Sequence, residues 1–207
     1  MQVFENRTEA GKKLAAKLKK YSGKAVVLAI PRGGLEVGRA VADALHCHLD
    51  CVFSKKISLP FEEEVAIGAV SFTGVVVNED AVRFYNVDRK YIEAKKREIL
   101  EKIKQLDKVY HENIPRVTLA NKTVILTDDG VATGETIEAA VIQLRRKKVA
   151  KIILAVPVAP RETWEKLRKK VDEAICLLLP PEFMAIGQFY ESFPQFSHDE
   201  AKKLMIK

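Results

Sequence analysis

The chain has 207 residues, of which 47% are hydrophobic and 30% charged, so it can bury a core and is not of the disordered class. Its 35 lysines and arginines outnumber its 28 acidic residues, which favours anionic ligands such as phosphates. Three cysteines, no signal pattern and no apolar run long enough for a bilayer predict a cytoplasmic protein without disulfides or a membrane span.

Apolar runs alternate with amphipathic segments along the chain. Helices are expected in a first segment capped by Asn6 and at 35–45, 88–111, 136–147 and 162–170. Strands are expected at 25–30, 51–53, 65–70, 75–77, 123–127, 152–156 and 174–179, with a polar loop at 55–64. This alternation predicts an α/β fold with a parallel sheet covered on both faces, and ligands bound in the loops that follow its strands.

The segment 88–111 is the longest predicted helix. Ile92, Ile99 and Ile103 fall at helical spacing on it, and the rest of its surface is largely charged. Its apolar stripe shows only that something covers it. A lid, a contact between two copies in a homodimer, and cover for the edge of the sheet remain open as alternatives.

One nine-residue string follows the predicted strand 123–127 directly. It consists of Asp128, Asp129, Gly130, Val131, Ala132, Thr133, Gly134, Glu135 and Thr136. Glycines let a backbone approach an anion closely, and the N–H groups that begin the next helix would point at it. The paired carboxylates suit hydroxyl groups or a hydrated Mg²⁺ ion. The string therefore predicts a site for a sugar phosphate, and it lacks the Gly-Lys-Ser/Thr of a Walker loop.

Residues 127–136 resemble the phosphoribosyl diphosphate (PRPP) signature of type I phosphoribosyltransferases. In that family the acidic pair holds the ribose hydroxyls, and the Thr-Gly-x-Thr turn holds the 5′-phosphate. Gly130 and Thr127 depart from the family, which usually has apolar residues at these two positions.

Two further segments carry the resemblance. The string 31–38 is similar to the family's pyrophosphate loop, in which Arg32, Gly33 and Gly34 would offer backbone N–H groups, often through an unusual peptide conformation. The string 54–60 is similar to the loop from which a lysine reaches the pyrophosphate. The resemblance implies a catalytic role for Arg32.

Lys56 is the first choice for the pyrophosphate lysine, and Lys55 is the second. Glu64, in the same predicted loop, is the best-placed residue for proton exchange with an acceptor. A solvated acidic run at 62–64 is an equal alternative.

The resemblance implies a Rossmann-like type I phosphoribosyltransferase core in a single domain, 1–207, with a helical insertion at 80–115 and a small C-terminal hood at 180–207. It implies transfer of the 5-phosphoribosyl group from PRPP to a nitrogenous acceptor, with a nucleobase expected. Mg²⁺ would be the cofactor, held mainly through PRPP, with Asp128 and Asp129 as candidate ligands. A regulatory protein that senses PRPP or a nucleotide on the same fold is the alternative.

The acceptor is less well defined. Ala132 stands where 6-oxopurine enzymes have an aspartate, and 157–160 lacks the lysine that reads the purine oxygen in those enzymes. Both features weaken a guanine or hypoxanthine assignment. Phe189 or Tyr190 could stack on a planar base, or could instead fill the core of the hood.

The string 46–51, His-Cys-His-Leu-Asp-Cys, could suggest zinc. Its spacing is not that of a zinc ribbon or finger, so we expect a helix end followed by a strand. The basic runs have no interleaved aromatic residues, and no nucleic-acid partner is expected.

Overall fold

The computed structural model of the protein describes residues 3–62, 65–71 and 74–206. Within these residues, no helix is both long enough and apolar enough to cross a bilayer. The strands form one sheet of five strands and another of three.

The strands are β1 (Ala25–Ala29), β2 (His48–Cys51), β3 (Ser54–Ser58), β4 (Ala66–Ser71), β5 (Gly74–Val77), β6 (Thr123–Thr127), β7 (Lys151–Val158) and β8 (Glu173–Leu178). The α-helices are α1 (Arg7–Lys17), α2 (Gly34–Leu45), α3 (Glu79–Phe84), α4 (Arg89–His111), α5 (Glu135–Arg146), α6 (Arg161–Leu167) and α7 (His198–Lys203). Short 3₁₀ helices cover Lys19–Tyr21 and Ile186–Phe189.

The larger sheet is parallel throughout, with strand order β2-β1-β6-β7-β8. Ala29, the last residue of β1, pairs with Thr127, the last residue of β6. Thr127 in turn pairs with Ala155 of β7. The loops that follow β1 and β6 therefore leave the sheet side by side, and the predicted α/β fold with a parallel core is confirmed.

Helices cover both faces of this sheet. Leu28, Leu126 and Leu154 point to a core cluster that includes residues of α5 and α6. Their neighbours Val27 and Ile125 point to the opposite cluster, which includes residues of α1 and α2. Strands buried on both faces read as continuous apolar runs, and this is why these elements were predictable from the sequence.

The smaller sheet, β3-β4-β5, is antiparallel and packs against α4. The expected polar loop at 55–64 is wrong over its first part, because β3 occupies Ser54–Ser58. The sequence did not indicate this strand because most of its side chains are polar. Ser54 is buried, and its hydroxyl donates to the Thr136 carbonyl oxygen at 3.1 Å. Ile57 is 1% exposed and packs in the cluster beneath α4.

The second strand was also misplaced: β2 runs over His48–Cys51 rather than 51–53. The strand was misplaced because it contains Asp50, a charged residue that is not expected in a buried strand. Asp50 accepts hydrogen bonds from the Val117 backbone N–H at 3.0 Å and pairs with His111 Nε2 at 2.8 Å. These contacts satisfy the carboxylate and fasten the end of α4 to the sheet.

The predicted helix at 88–111 is confirmed as α4, and Asp88 caps its first turn by accepting from the Lys90 N–H. The expected insertion at 80–115 includes α4 and nearly all of α3. Ile92, Ile99 and Ile103 pack against the smaller sheet, so this sheet covers part of the apolar stripe of α4.

Candidate active site

The phosphate turn lies between β6 and α5. Gly134 adopts a left-handed φ of 84°, and a Cβ there would come within 2.9 Å of Thr163 Cγ2. The Thr163 hydroxyl donates to the Ala132 carbonyl oxygen at 2.9 Å, which ties the turn to α6. Ala132, Thr133 and Thr136 are exposed. The first N–H groups of α5 have no partner within the helix, so this turn can bind an anion.

The sequence departs from the family pattern at Gly130 and Thr127, and these two residues have different surroundings in the structure. A Cβ on Gly130 would lie 2.7 Å from Ile186 Cγ2, so a larger residue would displace the side chain of Ile186. Val131 is buried, and its N–H donates to the Val158 carbonyl oxygen at 2.9 Å. Thr127 is fully buried, and its hydroxyl has no partner among the described residues.

The acidic pair is held by several contacts. The Asp129 backbone N–H donates to Asp128 Oδ1 at 2.8 Å. Asp129 Oδ2 accepts from Arg7 Nε at 2.8 Å, and its backbone carbonyl accepts from the Tyr190 hydroxyl at 2.5 Å. Asp129 thus keeps a fixed orientation.

Arg7 was not predicted from the sequence. Its side chain is 3% exposed, lies 3.7 Å from the Phe193 ring centroid, and donates from Nη1 to the Pro194 carbonyl oxygen at 2.7 Å. No local pattern marks it as a site residue, since it stands in the ordinary charged first turn of a helix. Only the folded chain brings it to Asp129.

Burial raises the pKa of Asp128 well above its usual range, and the neighbouring Asp129 charge adds to the effect. Burial also raises the pKa of Asp129, while the Arg7 guanidinium acts in the opposite direction. A raised pKa favours the protonated form of a carboxyl, which can donate as well as accept a hydrogen bond.

The loop after β1 contacts the acidic pair directly. A Cβ on Gly33 would lie 2.0 Å from Asp129 Oδ2, and one on Gly34 would lie 2.7 Å from Asp128 Oδ1. The Pro31–Arg32 peptide bond is cis, which is the unusual peptide conformation expected here. Arg32 is exposed. The structure therefore brings the predicted pyrophosphate loop and the predicted ribose carboxylates together.

The two candidate lysines have different surroundings. Lys56 Nζ lies 2.5 Å from Glu135 Oε1, at the start of α5. Lys55 lines a cavity of about 290 Å³ together with Pro31, Asp128 and Thr136. Lys55, the second choice, therefore shares a cavity with the first residue of the predicted pyrophosphate loop.

The remaining candidates concern the acceptor. Glu64 lies outside the described residues. Phe189 and Tyr190 are 1% and 6% exposed and pack with Phe4 and Val158. The structure therefore favours core packing over base stacking for both rings.

The string 46–51 spans a helix end and a strand, as expected. His46 ends α2 in a left-handed conformation, and both His46 and His48 are exposed. Among the described residues, the group that could meet around a metal ion is Asp50, Cys51 and His111. Burial strongly raises the pKa of the Cys51 thiol, which opposes the thiolate that a metal needs.

Comparisons with known proteins agree with this geometry. A family model described as a phosphoribosyl transferase domain matches residues 2–191. Two Mycobacterium tuberculosis proteins, each named as a phosphoribosyl transferase of unstated substrate, are 38% identical over 202 residues. The alignment covers 97% of this chain and 46% of each relative, so the chain spans about half the length of the curated relatives it matches.

Solved structures give the same fold. TT1426 from Thermus thermophilus has a TM-score of 0.92 at 31% identity, covering 100% of this chain and 98% of that one. A purine phosphoribosyltransferase from Pyrococcus horikoshii has a TM-score of 0.51 at 17% identity, over 92% of each chain, which is a likeness of fold. With a family model matching nearly the whole chain, this protein belongs to the phosphoribosyl transferase domain family.

Proposed function

We propose that this protein transfers the 5-phosphoribosyl group of PRPP to a nitrogenous acceptor and releases pyrophosphate. The observation that carries the proposal is the contact between the Gly33–Gly34 backbone and the Asp128–Asp129 carboxyls, beside the phosphate turn. Three binding elements, each suited to one part of PRPP, meet at one edge of the sheet.

In this proposal the 5′-phosphate binds the turn that ends at Gly134. The ribose hydroxyls bind Asp128 and Asp129, and the diphosphate binds the loop at Arg32. Asp129 is already oriented by Arg7, so the hydroxyls would meet a fixed acceptor. Preorganised groups of this kind cost little reorganisation when the substrate binds.

The chemical step would break the bond between C1 and the diphosphate oxygen, which keeps the electron pair. The acceptor nitrogen forms the new bond to C1, through a transition state with oxocarbenium character, and its N–H proton passes to the released pyrophosphate or to water. Negative charge grows on the leaving diphosphate. The exposed Arg32 and Lys55, which lines the adjoining cavity, would stabilise that charge.

Mg²⁺ is the proposed cofactor, bound mainly through PRPP oxygens. Asp128 and Asp129 are the carboxyls that could approach the ion, and its positive charge would favour their ionised forms. A bound Mg²⁺ ion would supply charge neutralisation at the diphosphate. The acceptor is proposed to be a nucleobase, and the exposed Ala132 gives no side-chain base of its own to a 6-oxopurine.

The proposal is tested by incubating the protein with PRPP, Mg²⁺ and a panel of nucleobases and amines, with pyrophosphate release measured. The product of any active acceptor is identified by mass spectrometry. The Asp128→Asn, Asp129→Asn double variant is the inactive control. If no acceptor supports turnover while calorimetry shows tight binding of PRPP or a nucleotide, the sensing alternative is correct.

A further inference from the structure

The C-terminal segment forms one wall of the cavity beside the predicted pyrophosphate loop. Its volume is about 290 Å³, and His198 lines it together with Pro31, Lys55 and Asp128. Pro31 begins the pyrophosphate loop, and Asp128 begins the PRPP string. His198 therefore faces the same space as residues proposed to bind PRPP, although the C-terminal hood was expected to serve the acceptor.

A buried tyrosine holds the His198 ring in place. Tyr110 is 0% exposed, and its hydroxyl lies 2.9 Å from His198 Nδ1. The two rings meet edge to face, with centroids 5.7 Å apart. Tyr110 also packs edge to face against Phe53, at 5.1 Å. This contact fixes the orientation of the imidazole and engages one of its two nitrogens.

Charges around His198 define what it can bind. Burial and the Arg32 charge lower the pKa of His198, and Asp199 acts in the opposite direction. The lowered pKa favours the neutral form of the ring. If the Tyr110 hydroxyl donates to Nδ1, the proton of the neutral ring is on Nε2. Lys55 on the same cavity and Arg32 nearby make the surroundings suitable for an anion.

We propose that His198 donates a hydrogen bond from Nε2 to the diphosphate of PRPP and to released pyrophosphate, with Tyr110 as its positioning residue. This inference rests on the proposed function, because it assumes that the loop at Arg32 binds a diphosphate. It assigns the C-terminal segment a part in binding the leaving group. A hydrogen bond to a charged partner is worth roughly a tenfold change in affinity or more.

The test uses two calorimetric titrations of the full chain in the presence of Mg²⁺, one with inorganic pyrophosphate and one with ribose 5-phosphate. His198→Ala should weaken pyrophosphate binding roughly tenfold or more and leave ribose 5-phosphate binding nearly unchanged. His198→Gln keeps an N–H donor near the position of Nε2 and should recover part of the loss. His48→Ala removes an exposed histidine at the amino end of β2 and is the matched control.

Pyrophosphate affinity in His198→Ala equal to that of the unmodified protein would overturn the inference while the proposed function stands. Equal losses for both ligands would also overturn it, because they would indicate a structural role for the ring. If the unmodified protein binds neither ligand, the proposed function itself fails. A selective loss in His198→Ala with partial recovery in His198→Gln supports the inference.

Discussion

The Arg7 Nε atom lies 2.8 Å from Asp129 Oδ2, although 122 residues separate the two in the chain. The pair joins the first turn of α1 to the tip of β6, and the guanidinium is almost fully buried. Its other contacts, the Pro194 carbonyl and the Phe193 ring, come from the C-terminal segment. One side chain thus links the proposed ribose site to both ends of the described chain.

Arg7→Ala should lower the free energy of unfolding by about 3 kcal/mol, because it leaves the Asp129 carboxylate without its partner in a poorly solvated place. Ribose 5-phosphate binding should weaken as well, since Asp129 loses its orientation. Urea denaturation and calorimetry measure the two effects. Arg83→Ala, which removes an exposed ion pair with Asp80, is the control and should cost less than about 1 kcal/mol. Equal costs in the two variants would contradict this prediction.

Local patterns predicted a turn between β6 and α5, because the glycines and threonines of 128–136 are adjacent in the sequence. They did not predict Arg7, whose partner is distant in sequence and whose own neighbourhood is ordinary charged helix. They also missed β3, because a strand whose buried Ser54 hydroxyl is satisfied by the Thr136 carbonyl reads as a polar loop. His198 was not predicted for a similar reason, because its position depends on how α7 packs against α4.

The pH dependence of stability should report on Asp128. Burial raises its pKa in the folded state, so the folded protein holds a proton that the unfolded chain releases above about pH 4. This contribution to stability is complete below that pH and is lost as pH rises through the folded-state pKa. Asp128→Asn removes the Asp128 contribution, so the variant should gain stability relative to the unmodified protein as the pH rises above about 4.

Denaturant titrations at several pH values across that window measure the difference for Asp128→Asn. Asp80→Asn, whose side chain is 90% exposed, is the control and should show a difference that does not change with pH. A flat difference for Asp128→Asn as well would mean that the Asp128 carboxyl titrates normally.

The phosphate turn can be tested with two glycines of similar conformation. Gly134 and Gly23 have φ values of 84° and 67°, so the backbone strain of an alanine should cost about 1 kcal/mol of stability at either position. Only at Gly134 does a Cβ meet a neighbour, Thr163, whereas at Gly23 nothing lies within 4 Å. Gly134→Ala should weaken ribose 5-phosphate binding roughly tenfold or more, and Gly23→Ala should not. Similar affinities in the two variants would show that the phosphate binds elsewhere.

Because Lys56 forms an ion pair with Glu135, its substitution is expected to affect binding of the 5′-phosphate rather than of the leaving group. Lys56 Nζ neutralises the Glu135 carboxylate at the start of α5, next to the turn. Lys56→Ala leaves that negative charge uncompensated and should weaken ribose 5-phosphate binding about fivefold. Adding Glu135→Gln removes the repulsion and should restore the affinity. No recovery in the double variant would mean that Lys56 contacts the phosphate directly.

Lys55 is expected to act on the transition state. Lys55 lines the same cavity as Pro31 and Asp128, beside the loop proposed to hold the diphosphate. Charge on the diphosphate grows as its bond to C1 breaks, so Lys55 should stabilise the transition state more than bound PRPP. Once an acceptor is known, Lys55→Ala should lower turnover at saturating PRPP about a hundredfold, with a much smaller change in PRPP affinity.

Single-turnover kinetics and calorimetry separate these two effects of Lys55→Ala. Lys122→Ala, an exposed lysine immediately before β6 at the opposite edge of the sheet, is the control and should change neither quantity. Losses of equal size in affinity and turnover would place Lys55 in ground-state binding. A loss of turnover alone would indicate that the Lys55 charge stabilises the departing diphosphate in the transition state. A protein that only sensed PRPP would not catalyse this step, so the substitution would have no turnover to reduce.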